Sequence, residues 1–171
     1  GEKFMTKKIT ILLVCFFTTF LGGKSFSAQI TIEAYGMDKY FNYDVEKGRQ
    51  FLTYSSEGLF VTNIGINGVV ECKGIVEIIT GITSSNIMCK YAEDNGDIFF
   101  AQFFIKRGTI SEDATVQSFE FVSGASRWAE IVGQKCIGAY TPMAQKRFMW
   151  KGKCEMSNKT LERLKNYKKP K

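Results

Sequence analysis

The feature that most constrains this chain is a recurrence of short segments rich in β-branched and aromatic residues, broken by turn signals every ~8–12 residues. The segments are Gln29–Tyr35, Phe51–Tyr54, Leu59–Ile66, Val69–Ile79, Asn86–Ala92, Ile98–Lys106, Val116–Val122, Gln134–Tyr140 and Arg147–Met156. Nine strands of this length with no intervening helical pattern imply an all-β sandwich or barrel. Fifteen Phe and only two Pro argue against a disordered chain, and 171 residues suffice for one domain with a sizeable core.

Turn chemistry refines this reading. Glu93-Asp94-Asn95-Gly96-Asp97 holds an Asn-Gly pair, the strongest short hairpin signal, and a two-residue loop there pairs Ala92 with Phe99 and Lys90 with Ala101. The acids of this string lack the alternating spacing and downstream Glu of an EF-hand loop, so a turn is expected rather than a calcium site. A second turn at Thr80-Gly81 sets Cys72 opposite Cys89. A third, near Gln145, sets Cys136 opposite Cys154 and Tyr140 opposite Trp150. Directly opposed Cβ atoms lie ~4.5–5.5 Å apart, close to disulfide geometry, so the bridges Cys72–Cys89 and Cys136–Cys154 are predicted. No zinc-type cysteine spacing is present, and no metal or other cofactor is expected.

The start of the chain reads as an address. Lys7-Lys8 precede an uncharged, mostly apolar run from Ile9 to Gly23, and Ser25 and Ser27 fit the small positions before a signal-peptidase cut. Cleavage is expected after Ser27, with Ala28 as the next choice, giving a protein that is secreted or periplasmic. Fifteen residues at ~1.5 Å rise fall short of a membrane span. Val14 before Cys15 is too bulky for a lipoprotein signal. The expected organisation is a signal peptide over 1–27, a β domain over 28–156 and a basic tail over 157–171.

Removing the leader changes the charge. The net +6 of the whole chain becomes +3 from Ala28 onward, and the segment Lys146–Lys171 carries ten basic residues against two acidic ones. An acidic body with a basic tail is not a nucleic-acid footprint, which needs basic and aromatic residues interleaved on one folded face. The tail offers Ser157 or Asn158 as N-cap, good helix formers, and only Leu161 and Leu164 as apolar contacts, so it reads as a short, marginal helix. Its sharper reading is peripheral contact with an anionic surface.

The chain contains no His. That excludes Ser-His-Asp and Cys-His nucleophile pairs, a His general base and His-ligated metals. The strand acids Glu71, Glu77 and Glu120 are the remaining catalytic candidates, each expected to face solvent; no catalytic residue is assigned. Tyr91, Trp128, Tyr140 and Trp150 are the candidates to line a ligand pocket, against the plainer reading of core packing.

The stretch Phe119-Glu120-Phe121-Val122-Ser123-Gly124-Ala125-Ser126-Arg127-Trp128-Ala129 reads as a strand, a small-residue corner and a turn. It resembles the F-x-G-G-T-G-K-[FYW]-A-G-x-x-G stretch of allene oxide cyclase and dirigent-type β-barrels. The chain is also similar to small secreted bacterial proteins carrying that stretch, through Cys72-Lys73-Gly74-Ile75-Val76-Glu77 and the string from Cys89 to Asp97. Ser123, Ala125, Ser126 and Glu130 depart from the pattern. The resemblance spans about Leu59 to Met156 and implies an eight-stranded antiparallel, calycin-like barrel, whose interior is either filled or able to hold one small apolar ligand. Plant members guide cyclisation or radical coupling of bound molecules; none of their functional residues maps onto this chain. The function expected is therefore non-enzymatic binding of a small apolar ligand or an envelope partner. The alternatives are a cyclase- or isomerase-like enzyme with a shaped pocket, and a structural or adhesive envelope module.

Overall fold

The computed structural model describes residues 27–108 and 115–169, with backbone alone at 106–108 and 115. The leader expected over 1–27 lies, Ser27 apart, outside the described residues. Eight strands follow in order: β1 (Ala28–Glu46), β2 (Arg49–Thr62), β3 (Asn67–Ile79), β4 (Ile82–Glu93), β5 (Ile98–Gly108), β6 (Thr115–Gly124), β7 (Lys135–Met143) and β8 (Arg147–Met156). Each pairs antiparallel with its sequence neighbour, and β1 closes on β8 from Ala28↔Met156 to Met37↔Arg147, giving a closed barrel. A short helix, α1 (Asn158–Lys165), follows the last strand.

Alternation builds the wall. Along β8 every second residue (Phe148, Trp150, Gly152, Cys154, Met156) is buried and the others are exposed, the period-2 pattern of a sheet with one face on a core. The outer face carries Glu71, Lys73, Lys90, Lys151 and Lys153. Among these charges the same face also exposes apolar side chains, including Leu59, Val69, Ile75 and Val116.

Three expectations about strands are corrected. The segment Phe51–Tyr54 and the first part of Leu59–Ile66, as far as Thr62, form one strand, β2, and residues 63–66 make the turn to β3. The polar link Ser55-Ser56-Glu57-Gly58 reads as a turn, yet Gly58 is there because Gly36 of β1 lies opposite it, and a Cβ at Gly58 would come within 2.9 Å of the Gly36 Cα. Strand β1 continues past Tyr35 to Glu46. The Asn95-Gly96 hairpin is shifted by one residue, with Ala92 opposite Ile98 and Lys90 opposite Phe100. Only Gly96 takes a positive φ (+85°). Asn95 instead accepts the Asp97 amide at 2.8 Å through its side-chain oxygen, and Glu93 N–H bonds the Asp97 carbonyl around a three-residue loop. The two-residue turn expected at Thr80-Gly81 is present, with both residues at positive φ.

Both predicted disulfides are formed. Cys72 and Cys89 are direct cross-strand partners, and Cys136–Cys154 bridges β7 to β8 with Tyr140 opposite Trp150. Two such bridges are the chemistry of an oxidising environment.

One end of the barrel is closed. Between β6 and β7 a 3-10 turn (Ser126–Ile131) folds beneath the strands and drives Trp128 into the interior, fully buried. The indole packs on Phe99 with ring centroids 3.9 Å apart and lies parallel to Phe121, while its N–H donates to the buried Glu93 carboxylate. A Cβ at Gly124 would lie 2.6 Å from the Trp128 Cβ, so the corner requires glycine. Leu164 of α1 seals the floor from below, 1% exposed.

The tail is therefore docked rather than marginal. Ser157 caps α1 by accepting the Thr160 amide, as its sequence suggests. Arg127 donates to the Leu164 carbonyl at 3.1 Å, pairs with Glu93 at 3.5 Å and stacks on Tyr167. Arg163 meets Glu130 at 2.9 Å, and Lys169 meets Asp97 at 2.9 Å. Burial pushes the Asp97 carboxyl upward, but the Lys169 ammonium and the Ser126 hydroxyl outweigh it and hold the group below its ordinary value. Part of the tail's positive charge thus neutralises acids of the barrel's own floor.

Candidate functional site

The other end is open. Above the aromatic floor the interior holds a cavity of about 380 Å³, at the lower end of the range for small-molecule sites. Its walls are mainly aliphatic and aromatic. Leu52, Val76, Ile78 and Ile87 form one side, and Phe103, Ile105, Phe148 and Trp150 the other. One pair of opposed glycines shapes the wall at Trp150. Gly138 and Gly152 flank the Trp150 indole so closely that a Cβ on either would sit 2.6 Å or less from it. The Cys72–Cys89 bridge is part of the lining, which couples cavity shape to the redox state of that hairpin.

Of the four pocket candidates, Tyr91, Tyr140 and Trp150 line this cavity. Trp128 does not: it belongs to the floor, because the 3-10 turn carries it beneath Phe99. The three strand acids stand on the outer face. Glu71 is exposed, Glu77 pairs with Arg49 at 2.7 Å, and Glu120 lies opposite Lys135.

Two strand acids do face inward: Glu93, held in the floor by Trp128, and, toward the open end, Asp38, 2% exposed. Asp38 sits on β1 in the extension beyond Tyr35, on the same parity as Ile30, Ile32 and Ala34. Three phenols converge on it. Tyr54 O–H donates to Oδ1 at 2.8 Å, Tyr40 O–H lies 3.2 Å from Oδ2, and Tyr140 O–H, reaching across from β7, donates to Oδ2 as well. The Tyr40 and Tyr140 oxygens are themselves 3.0 Å apart. Cross-strand register produces this cluster, since Tyr40 pairs with Tyr54 and Asp38 with Ser56. Carrying the inward parity of Ile30-Ile32-Ala34 six residues further would have found both Asp38 and Tyr40.

Burial first, and the Asp38 charge second, push the Tyr54 hydroxyl far above the ordinary phenol range. Tyr140 is raised by burial and by its hydrogen bonds to Asp38 and Tyr40. Tyr40 is pushed up to about 12, again chiefly by burial. Tyr91, fully enclosed by the core, is raised by burial alone. A phenol raised in the folded state keeps its proton there after the unfolded chain has lost it. This contribution to stability is complete below a pH of about 10. It falls away as pH rises from there to about 12. Absorbance titration will show these tyrosines ionising late, and only with loss of fold; early ionisation of the whole tyrosine complement in the folded protein would contradict the cluster.

Among the described residues no group of three metal-ligating side chains comes together, and no helix is long and apolar enough to cross a membrane. Fold and site together define a closed eight-stranded antiparallel barrel with one plugged end and an open, mainly apolar cavity, whose lining tyrosines are backed by the buried Asp38 carboxylate. No protein-family model, curated protein or solved structure matches the chain.

Proposed function

We propose that this chain is an exported barrel of the allene oxide cyclase and dirigent-like kind that binds one small, largely apolar molecule in its interior. The cavity carries this reading. An interior packed solid with Phe and Ile would suit a purely structural or adhesive module, whereas a hollow one with a polar cluster at its mouth suits a ligand. The apolar walls supply affinity through burial, and the Asp38 cluster supplies orientation. The disulfides and the leader pattern of residues 5–28 support export and cleavage after Ser27 or Ala28. The lysines of the tail that no floor acid pairs with, Lys159, Lys165 and Lys168, are exposed and suit a peripheral contact with an anionic surface.

Native mass spectrometry of the protein purified from its own source tests this reading, with an adduct of one apolar molecule per chain expected. A filling substitution tests it independently. Val76→Trp projects an indole into open space and so should leave the fold intact, while ligand affinity measured by calorimetry drops at least about tenfold, because cavity volume rather than a packed core is consumed. Full affinity in that variant would place the ligand elsewhere.

A cyclase- or isomerase-like activity is the second reading, and Asp38 is what favours it. A buried carboxylate hydrogen-bonded to phenols can accept and return a proton within a water-poor cavity. Recovery of the bound molecule unchanged after prolonged incubation would separate binding from turnover.

A further inference from the structure

Charge, rather than hydrogen-bonding type, singles out this cavity. Its lining mixes donors and acceptors: the Trp150 indole N–H has no partner, and Ser56, Thr83 and Gln117 add hydroxyl and amide groups. A polar end of either kind can be met there. Among the described residues the lining holds no charged side chain. Asp38 stands behind it, 2% exposed and covered by Tyr40, Tyr54 and Tyr140, each within hydrogen-bond reach of the carboxylate. Among the described residues no Lys or Arg pairs with Asp38. The phenols solvate this carboxylate but bring no countercharge, so its field reaches into a space of low dielectric.

Aromatic rings occupy the same corner. Tyr40 and Tyr54 lie with ring centroids 5.4 Å apart, tilted by 48°, and Tyr140 and Phe148 stack at 5.9 Å. All four line the cavity. The face of an aromatic ring is negative and attracts a cation without any hydrogen bond. Rings grouped in front of a buried carboxylate that lacks a cationic partner suit an ammonium group.

We infer that the cavity selects organic cations, apolar molecules carrying a protonated amine or a quaternary ammonium, with the charge seated among these rings in front of Asp38. This rests on the reading of the interior as a ligand cavity and names its ligand class. The aliphatic wall offers molecules with the same chain equal apolar burial, so the ranking falls on charge. A cation supplies the countercharge that the buried carboxylate lacks and gains the ring faces besides. A neutral polar end gains neither. An anion gives up its water and meets like charge in a site of low dielectric.

The test titrates four probes of equal chain calorimetrically into the purified protein near neutral pH: decyltrimethylammonium, decylamine, decanol and decanoate. The two cations should bind at least about tenfold more tightly than decanol, with decanoate weakest. Because the charges meet in a buried site, the cations should keep that lead when salt rises from about 0.05 to about 0.5 M. Asp38→Asn keeps the shape and removes the charge, so the cations should lose most of their lead and decanoate should gain. Tyr40→Leu removes one ring at the mouth and should weaken both cations severalfold with little change for decanol. Tyr40→Phe, which keeps the ring, should restore them. Equal binding of the four probes, tightest binding of decanoate, or a lead for decylamine without one for decyltrimethylammonium overturns the charge rule while leaving the cavity a binding site. A cation lead that vanishes in high salt belongs to acids on the outer surface and overturns the rule as well. Absence of binding by all four overturns the ligand reading and the charge rule together. If Asp38→Asn does not fold, the ranking and salt response of the unmodified protein and the two Tyr40 variants decide.

Discussion

Trp128→Ala will lower the unfolding free energy by about 4–5 kcal/mol, the largest effect expected of any single side chain. The indole is fully buried, sandwiched against Phe99 and Phe121, and removing so large an aromatic from a closed core costs about 3–5 kcal/mol through lost transfer energy and the void left behind. The deletion also strips the buried Glu93 carboxylate of its indole donor, leaving Arg127 at 3.5 Å as its charged partner. An orphaned buried acceptor costs a further ~1 kcal/mol or more. The loss approaches the whole stability of a weak domain. Trp128→Phe keeps an aromatic ring in the floor but removes the N–H and part of the bicycle, and should cost less, about 2–3 kcal/mol. Urea unfolding at constant m-value measures both. A loss below about 1 kcal/mol for the alanine variant would mean that the floor is not part of the cooperative core.

The second large effect concerns the bridges. Replacing Cys72 and Cys89 together by alanine should cost about 3 kcal/mol and lower Tm by on the order of 10 °C, from the loop-closure entropy returned to the unfolded chain. The bridge spans 17 residues, and that of Cys136–Cys154 spans 18, so the two pairs should weaken the protein similarly. They differ in what else they change. Only the first lines the cavity, so ligand binding should alter in the Cys72/Cys89 variant and hold in the Cys136/Cys154 variant. Equal binding losses in both would indicate general loosening of the barrel rather than a local change in shape.

Much of the barrel is legible in the residues because hairpins are local. Glycine-marked turns fix register, and register alone places Cys72 on Cys89 and Tyr140 on Trp150. The misreadings share a cause. At Ser55-Ser56-Glu57-Gly58 polar and flexible residues imitate a loop, yet they form mid-strand because one polar side chain faces the cavity and the glycine faces another glycine. At Asn95-Gly96 the Asn side chain satisfies the loop by itself, so a three-residue turn wins over a two-residue one and the register moves by one. The site was the least legible part. Asp38 lies where β1 turns aromatic on its outer face, with Phe41 and Tyr43 exposed, so hydrophobicity points away from the inward parity. Its partner Tyr140 is 102 residues distant, joined to it only by closure of β1 on β8.

The pairing of Ala28 with Met156 also fixes an orientation. The first residues of β1 and the helix after β8 both leave from the plugged floor, while the cavity opens among the β1–β2, β3–β4 and β7–β8 hairpins at the far pole. Anything that holds this protein by either end, whether an affinity tag, a surface linker or a tail resting on an anionic layer, holds it by the floor and turns the cavity end away from the attachment.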